Sequence, residues 1–349
     1  MTTARNIEGH EDIEDREENA TNSYSFSSWS SRPSRSSWFR LSAMPASAAT
    51  RRHFLQLLAG AAALPFASRA AAQTGLSVTP VGPLRMVSGA GGNVVVTKGA
   101  SGLLLVNGGL QMHSARLFGE IASGTGGATV EFLFNTDWHP ELTGSNLLVA
   151  ERGGQIVAHE FTKQYLSIER HVEWQNTTHK PLPAKALPTK TFTTAGSMTF
   201  GGQTIEYAPL GQAHTDGDIY LFFREANVLV VGNVMTAGKY PIADYTSGGW
   251  LGGLQSATKT LLSVANPETR IVPGEGPVQT RADLQAQYDM LSATREAFVK
   301  MMRQGMSADE MLAAGATKSF DARWGNPQLF VKTSYRGLWL HVRELGGIV

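Results

Sequence analysis

Residues 135–144 read Asn135-Thr136-Asp137-Trp138-His139-Pro140-Glu141-Leu142-Thr143-Gly144 and directly follow an apolar run at residues 130–134. The apolar run is typical of a short buried strand, and the proline and glycine after it indicate a turn. Asp137, His139 and Glu141 therefore lie just beyond a strand end, where an α/β scaffold presents side chains to ligands. Carboxylates and imidazoles suit zinc, manganese or iron. The alternative is an acidic turn followed by a helix that begins at Thr143.

Three later segments also place polar groups at the end of an apolar run. His214 lies in a polar loop directly before the apolar run at residues 219–223. Another apolar run ends at Asn233, and a third is followed by Glu275 between two glycines. Four successive strand ends therefore offer groups that bind metals or form hydrogen bonds.

The order of these segments resembles the metallo-β-lactamase fold superfamily of metal-dependent hydrolases. The likeness covers roughly residues 78–285 and includes a strand and glycine turn at residues 102–109 of the kind that opens that fold. It implies an α/β protein built as a four-layer αβ/βα sandwich of metallo-β-lactamase type. Residues 286–349 would then form a C-terminal helical extension.

The likeness implies a first metal position made by Asp137, His139 and His214. The family's first motif is His-x-His-x-Asp-His, in which Asp137 stands at the first histidine and His139 at the second. His214 matches the next histidine of the family. Two imidazoles and one carboxylate still form a three-ligand set with open coordination positions. We therefore expect one divalent metal here, with zinc favoured over iron or manganese.

The family's second metal position is altered further. Glu141 and Leu142 stand where the first motif has its Asp and last His. Asn233 replaces the bridging carboxylate, and Glu275 replaces the final histidine. Leucine cannot bind a metal, and an amide oxygen holds a dication less strongly than a carboxylate does. We expect this second metal site to be lost.

The implied chemistry is hydrolysis of an ester, lactone, amide or phosphoester by a metal-activated water. Glu141 or Glu275 would transfer the proton, and Asn233 would donate a hydrogen bond to the developing oxyanion. Thr215 and Asp218 would orient the neighbouring histidine or close its loop. For Asp218, a purely local role in the turn is the alternative, because Asp commonly accepts hydrogen bonds from nearby backbone amides.

Two other functions stay open. A chain that retains the scaffold with most ligands replaced fits an exported, non-catalytic protein that binds a small molecule. The same ligands also fit metal-dependent oxidative or lyase chemistry. Asp137 discriminates between enzyme and binding protein. A position shared with His139 and His214 favours an enzyme, and a side chain that points away favours a binding protein.

The first 72 residues indicate export. Residues 1–49 are acidic and then serine-rich, and we predict that they are disordered or untranslated, with Met44 as the alternative start. Residues 50–72 contain the adjacent pair Arg51-Arg52, followed by a short apolar run and then small residues. This order is typical of a twin-arginine signal peptide, and a short amphipathic helix is the alternative. The export machinery is therefore an expected partner, and the bacterial periplasm the expected location.

Composition excludes several classes of protein. The chain has 349 residues, 42% of them hydrophobic, which is enough for a large core. A net charge of +1 without a basic, aromatic-rich stripe argues against a nucleic-acid partner. The chain has no cysteine. Any metal must therefore be held by histidine, carboxylate or carbonyl groups. The alanine-rich signal is too short for a confident membrane span, and none is expected in the mature form. A small-molecule substrate is expected, and the oligomeric state is left open.

Apolar periodicity predicts strands that alternate with helices. Residues 191–194 are predicted as a strand of the second sheet, and residues 171–188 as a long loop at the mouth of the cleft. Tyr245 and Trp250 lie in a glycine-rich segment that we predict to be a lid lining an apolar pocket, with packing on the scaffold as the alternative. Helices are predicted at residues 114–122, 147–151, 161–167, 254–265, 281–302 and 329–345, and after a capping box formed by Ser307 and Glu310.

Overall fold

Strands and helices alternate along the part of the chain that the computed structural model describes, residues 75–346. These residues belong to one compact unit, and the predicted N-terminal extension and signal peptide lie outside them. The strands are β1 Ser77–Val81, β2 Leu84–Ser88, β3 Val94–Lys98, β4 Leu103–Val106, β5 Val130–Phe134, β6 Gln155–His159, β7 Arg170–Val172, β8 Thr177–His179, β9 Lys190–Phe192, β10 Gly196–Phe200, β11 Gln203–Pro209, β12 Ile219–Phe223, β13 Val228–Thr236 and β14 Arg270–Glu275. The helices are α1 Ser114–Thr125, α2 Pro140–Thr143, α3 Asn146–Glu151, α4 Glu160–Ser167, α5 Leu251–Val264, α6 Arg281–Arg303, α7 Ala308–Ala313, α8 Asp321–Trp324 and α9 Gln328–Leu340.

The first sheet contains seven strands in the order β1-β2-β3-β4-β5-β6-β9. The first four pair antiparallel, and β4, β5, β6 and β9 run parallel. Helix α1 connects β4 to β5 because parallel neighbours need a crossover connection. Val106 pairs with Phe134 at the ends of β4 and β5. The two segments that follow these strands therefore start side by side.

The second sheet contains five strands in the order β10-β11-β12-β13-β14. Only its last pair, β13 and β14, is parallel, with α5 as the connection. Asn233 lies within β13, and Glu275 is the last residue of β14. Their register is irregular, with Gly232 opposite Pro273 and Thr236 opposite Glu275.

Three apolar layers hold the sheets and helices together. Phe134 of the first sheet and Leu221 of the second belong to one buried cluster, so the two sheets pack face to face. Leu117 of α1 and Ile156 of β6 belong to a second cluster on the outer face of the first sheet. A third cluster joins α5, α6 and α9 to the outer face of the second sheet. The molecule is therefore the four-layer αβ/βα sandwich that was expected.

The C-terminal helices continue the outer layer of the second sheet. Helix α7 begins at the capping box formed by Ser307 and Glu310, as predicted. Phe298 of α6 and Phe330 of α9 are fully buried against each other and the helix layer. Residue 286, the expected start of the helical extension, lies inside α6. None of the helices in residues 75–346 combines the length and the hydropathy needed to cross a bilayer.

Two sequence-based predictions of local structure are wrong. The strand near residues 191–194 is β9, which pairs with β6 in the first sheet instead of joining the second. The predicted loop at residues 171–188 contains the hairpin of β7 and β8, in which Arg170 pairs with His179. The first error arises because alternation within a strand does not say which strand pairs with it. The second arises because strands of three residues are too short to show a periodic pattern.

Candidate metal centre

The turn after β5 is fixed by a side chain of the first sheet. Asn107 has a φ of +66°, and its Oδ1 accepts hydrogen bonds from Thr136 N at 2.9 Å and from Thr136 Oγ1 at 3.0 Å. Asparagine tolerates this left-handed backbone conformation better than most residues do. A Cβ added at Gly232 of β13, with φ +57°, would lie 2.3 Å from Thr136 Oγ1. A glycine there lets the second sheet approach the turn closely.

Within the turn, Asp137 and His139 are tied together. Asp137 Oδ1 accepts a hydrogen bond from His139 N at 2.8 Å and lies 3.0 Å from His139 Nδ1. Pro140 then begins α2, where its missing N–H is not needed. Thr143 Oγ1 donates to the His139 carbonyl at 3.1 Å. The backbone and the ring of His139 are therefore both held in place.

His214 is presented by the loop between β11 and β12. Asp218 Oδ2 accepts hydrogen bonds from His214 N at 2.5 Å and Thr215 N at 2.9 Å, and Thr215 Oγ1 donates to Asp218 Oδ1 at 2.8 Å. Both Thr215 and Asp218 are buried. Burial and the charge of Asp137 raise the pKa of Asp218. Asp218 therefore closes the loop that carries His214.

Asp137, His139 and His214 meet between the ends of the two sheets. One potential ligand atom from each lies within 4.8 Å of the others. His139 Nδ1 is 3.2 Å from His214 Nε2, which is close to the ligand separation of about 3.3 Å that a tetrahedral ion with 2.0–2.1 Å bonds requires. All three residues are at most 4% exposed, and Asp137 Oδ2 is buried without a hydrogen-bond partner. The donor set and the free carboxylate oxygen fit a divalent cation.

Residues 242–247 orient both imidazoles, a role that the sequence did not reveal. His214 Nδ1 lies 2.7 Å from the Ile242 carbonyl, to which it donates, so the lone pair of Nε2 faces the cluster. His139 Nε2 lies 3.6 Å from Asp244 Oδ2 and has no hydrogen-bond partner. A carboxylate behind a histidine favours the tautomer whose other nitrogen is free to bind a metal. Asp244 is therefore an addition to the predicted site.

Asp244 is itself held firmly. It is fully buried and accepts hydrogen bonds from Ser247 Oγ at 2.6 Å and Trp174 Nε1 at 2.9 Å. Its only sequence signal is an acidic residue in an otherwise apolar and aromatic segment after β13. Because it lies 105 positions from His139 (244 − 139), spacing could not connect the two.

The electrostatics of the centre favour a cation. Burial disfavours an imidazolium, but the hydrogen bond and charge of Asp137 outweigh it and raise the pKa of His139 to about 9. Burial and the charge of His139 lower the pKa of His214. Burial also opposes ionisation of Asp137, yet the same hydrogen bond lowers its pKa. Two buried carboxylates, Asp137 near Nδ1 and Asp244 near Nε2, therefore flank the His139 ring and favour positive charge there.

The predicted second position is occupied by protein contacts. Asn233 Nδ2 donates to Glu141 Oε1 at 3.0 Å, and Leu142 is fully buried. Glu275 is 56% exposed and forms an ion pair with Lys239 at 2.8 Å. The structure therefore brings Glu141 and Asn233 together but leaves Glu275 outside the group of Asp137 and the two histidines.

The two predicted aromatic contacts differ. Tyr245 lines a cavity of about 440 Å³ together with Trp174, and its hydroxyl donates to Glu173 at 2.9 Å. Trp250 instead belongs to the core of the helix layer, where its ring stacks on His341 at 4.4 Å. The predicted pocket-lining role of Trp250 is corrected to core packing, because Gly337 of α9 has no side chain and lets that helix pack directly against Trp250.

Comparison with known proteins finds similarity in structure alone. No protein-family model and no curated protein sequence matches the chain. A metallo-β-lactamase from Pontibacter korlensis is 19% identical, with a TM-score of 0.51 over 62% of this chain and 99% of that one. The stereoselective inverting sec-alkylsulfatase Pisa1 from Pseudomonas sp. is 12% identical, with a TM-score of 0.61 over 75% of this chain and 50% of that one. This likeness confirms the metallo-β-lactamase type of fold.

Proposed function

We propose that this protein is a metal-dependent hydrolase with one divalent metal held by Asp137, His139 and His214. The observation that carries the proposal is the buried cluster of one carboxylate and two imidazoles with an unpartnered Asp137 oxygen. Each imidazole also has a group behind its second nitrogen, as metal-binding histidines have. Zinc is the metal we favour, because its tetrahedral sites commonly combine histidine and carboxylate ligands.

When bound, the metal would lower the pKa of a water and polarise a carbonyl or phosphoryl oxygen. Glu141 is the residue to which we assign proton transfer, because it is half-buried two residues after His139 and its charge acts on that imidazole. Asn233 orients the Glu141 carboxylate through its 3.0 Å hydrogen bond. The second N–H of the Asn233 amide is the donor we assign to a developing oxyanion.

Esters, lactones, amides and phosphoesters are the substrate classes that this chemistry serves. The fold shared with a metallo-β-lactamase and an alkylsulfatase supports hydrolysis over oxidative or lyase chemistry. Asp137 lies with the two histidines, which was the arrangement that favours an enzyme.

A non-catalytic binding protein is the second candidate, and one observation favours it. The ring of Trp138 stacks on His139 at 4.3 Å, and the ring of Trp174 lies 6.4 Å from His139. With these two indoles beside it, His139 is only 1% exposed. A centre that is closed to this extent favours binding without turnover.

Metal content distinguishes these functions. Elemental analysis of the mature protein should find about one equivalent of zinc, iron or manganese, and none in a variant carrying His139→Ala and His214→Ala. The matched control is His171→Ala, because His171 is exposed on the hairpin and should leave the metal in place. Absence of metal from the unaltered protein would support the binding protein.

We further propose that residues 50–72 direct twin-arginine export to the bacterial periplasm, with cleavage near Ala72. Amino-terminal sequencing of the protein from a periplasmic extract should begin near Gln73. Replacement of Arg51 and Arg52 by lysine should retain the full-length chain in the cytoplasm, whereas Arg69→Lys should not.

A further inference from the structure

An apolar cavity of about 250 Å³ lies beside the metal centre. Four separate segments build it, namely the residues after β4, the turn with α2, helix α4 and the chain after β8. Leu110, Leu166 and Leu182 contribute aliphatic walls from three of these segments. A cavity assembled from so many parts of the fold is a built feature and not a gap in one loop.

Five of the six polar side chains around this cavity, all except that of Gln111, already have other partners. Tyr165 donates its hydroxyl hydrogen to Asp216 at 2.9 Å, and Trp138 Nε1 donates to Ser247 Oγ at 3.0 Å. Thr143 Oγ1 donates its hydrogen bond to the backbone carbonyls of Trp138 and His139. His179 Nε2 lies 3.0 Å from Gln175 Oε1, and the Lys180 ammonium pairs with Glu169. These walls therefore offer a ligand dispersion contacts and few hydrogen bonds.

One wall is shared with the metal centre. The ring of Trp138 lines the cavity, and the same ring stacks on His139 at 4.3 Å. Met112 stands at the rim with 81% of its surface exposed, which is a large apolar exposure for an unpartnered side chain. A hydrocarbon group that enters past Met112 would therefore contact a ring that itself packs on the proposed metal ligand His139.

We propose that this cavity binds a straight hydrocarbon arm of the substrate, so that the favoured substrates are esters or amides of medium-chain acids. The inference rests on the proposed metal centre for the position of the reacting group. It assigns the specificity of that centre to Leu110, Leu166, Leu182 and Trp138. Met112 is covered when the arm is bound.

The volume sets the length of the arm. A cavity of about 250 Å³ equals the liquid volume of about eight water molecules, and a methylene group is of similar size. Each buried methylene should tighten binding about fourfold. Affinity should therefore rise with chain length up to about eight carbons and then level off.

The test is calorimetric titration of the zinc-loaded mature protein with sodium alkanoates from butanoate to dodecanoate. The dissociation constant should fall about fourfold per methylene as far as about octanoate. Repeating the series after zinc removal separates the two proposals. The gain in affinity per added methylene reports on the cavity and should persist without zinc. The part of the affinity that all chain lengths share reports on the metal and should drop.

Three substitutions locate the bound chain. Leu182→Trp fills the cavity, so affinity should stop rising at a shorter chain length. Leu182→Ala enlarges the cavity, so affinity should go on rising for one or two more carbons. Ile168→Trp is the matched control, because Ile168 is 45% exposed near the same helix and does not line the cavity. A destabilised fold would instead weaken all lengths equally, which near-ultraviolet circular dichroism would show. Increments that are absent, that continue to dodecanoate, or that are unchanged in Leu182→Trp would overturn the proposal.

Discussion

Two neighbouring positions at the same end of the sandwich differ in how their polar groups are satisfied. At the first, Asp137 and His139 are almost fully buried and retain polar atoms without partners. At the second, Asn233 and Glu141 satisfy each other, and Glu275 is exposed with Lys239. An unsatisfied buried charge is costly, so a protein retains one where a ligand completes it. Of the two positions, only the first therefore has the unsatisfied buried groups that the proposed single metal requires.

The largest expected effect is at the first position. Asp137→Asn keeps the shape of the side chain but removes the anionic ligand, and we expect zinc affinity to fall more than about 100-fold, beyond the effect of losing an outer-shell partner. Competition with a chromogenic chelator measures it. Glu275→Gln is the matched control at the second position and should change the affinity less than about twofold. Equal losses in both variants would mean that the metal bridges the two positions.

The pH dependence of the unfolding free energy, measured on the metal-free protein, tests whether the first position favours positive charge. The pKa of His139 is raised from 6.5 to about 9. The stability that protonated His139 gives the folded state is therefore fully present below pH 6.5 and is lost as the pH rises through 9. The loss is on the order of 3 kcal/mol of unfolding free energy. Urea denaturation at pH 6 and pH 9.5 measures it. His139→Gln removes the titrating group and should flatten the change, and an unchanged slope in that variant would place the titration elsewhere.

A smaller effect on zinc affinity is expected at Asp244, which lies next to His139. Asp244→Asn should weaken zinc binding about 10- to 100-fold, because it no longer stabilises the His139 tautomer that leaves Nδ1 free. Trp174→Phe is the control, since it removes the hydrogen bond to Asp244 Oδ1 but keeps an aromatic ring beside His139. Substitution of cobalt for zinc gives a second readout, because the visible spectrum of Asp244→Asn should shift while that of Trp174→Phe should not. A loss shared by both variants would assign Asp244 a structural role alone.

The smallest effect is expected at the second position. Asn233→Asp replaces a hydrogen-bond donor with a negative charge beside Glu141, and should lower the free energy of unfolding by about 1–2 kcal/mol. Chemical denaturation with and without excess zinc measures this. Added zinc should not restore the loss, because Leu142 and the exposed Glu275 supply no further ligands nearby. Restoration together with a second bound equivalent would show that one substitution is enough to rebuild the second site.

Local sequence was a good guide wherever neighbouring residues decide the structure. The apolar run before Asp137 predicted β5, and the spacing of Ser307 and Glu310 predicted the start of α7. Both depend on interactions within a few residues. The likeness to a known fold then placed Asp137, His139 and His214 in one group before any coordinates, because the order of strand ends along a chain constrains which ends meet.

Long-range partners were decided by the tertiary structure alone. The sequence near residue 191 does not indicate that β9 pairs with β6. The sequence near Trp250 does not indicate whether that residue belongs to a lid or to the core. The role of Asp244 depends on its carboxylate lying 3.6 Å from a ring 105 residues away. Sequence by itself thus determined the elements and the ligand types, since these depend on local backbone preference and side-chain chemistry. Tertiary packing decided which of the candidate groups share one buried, low-dielectric space.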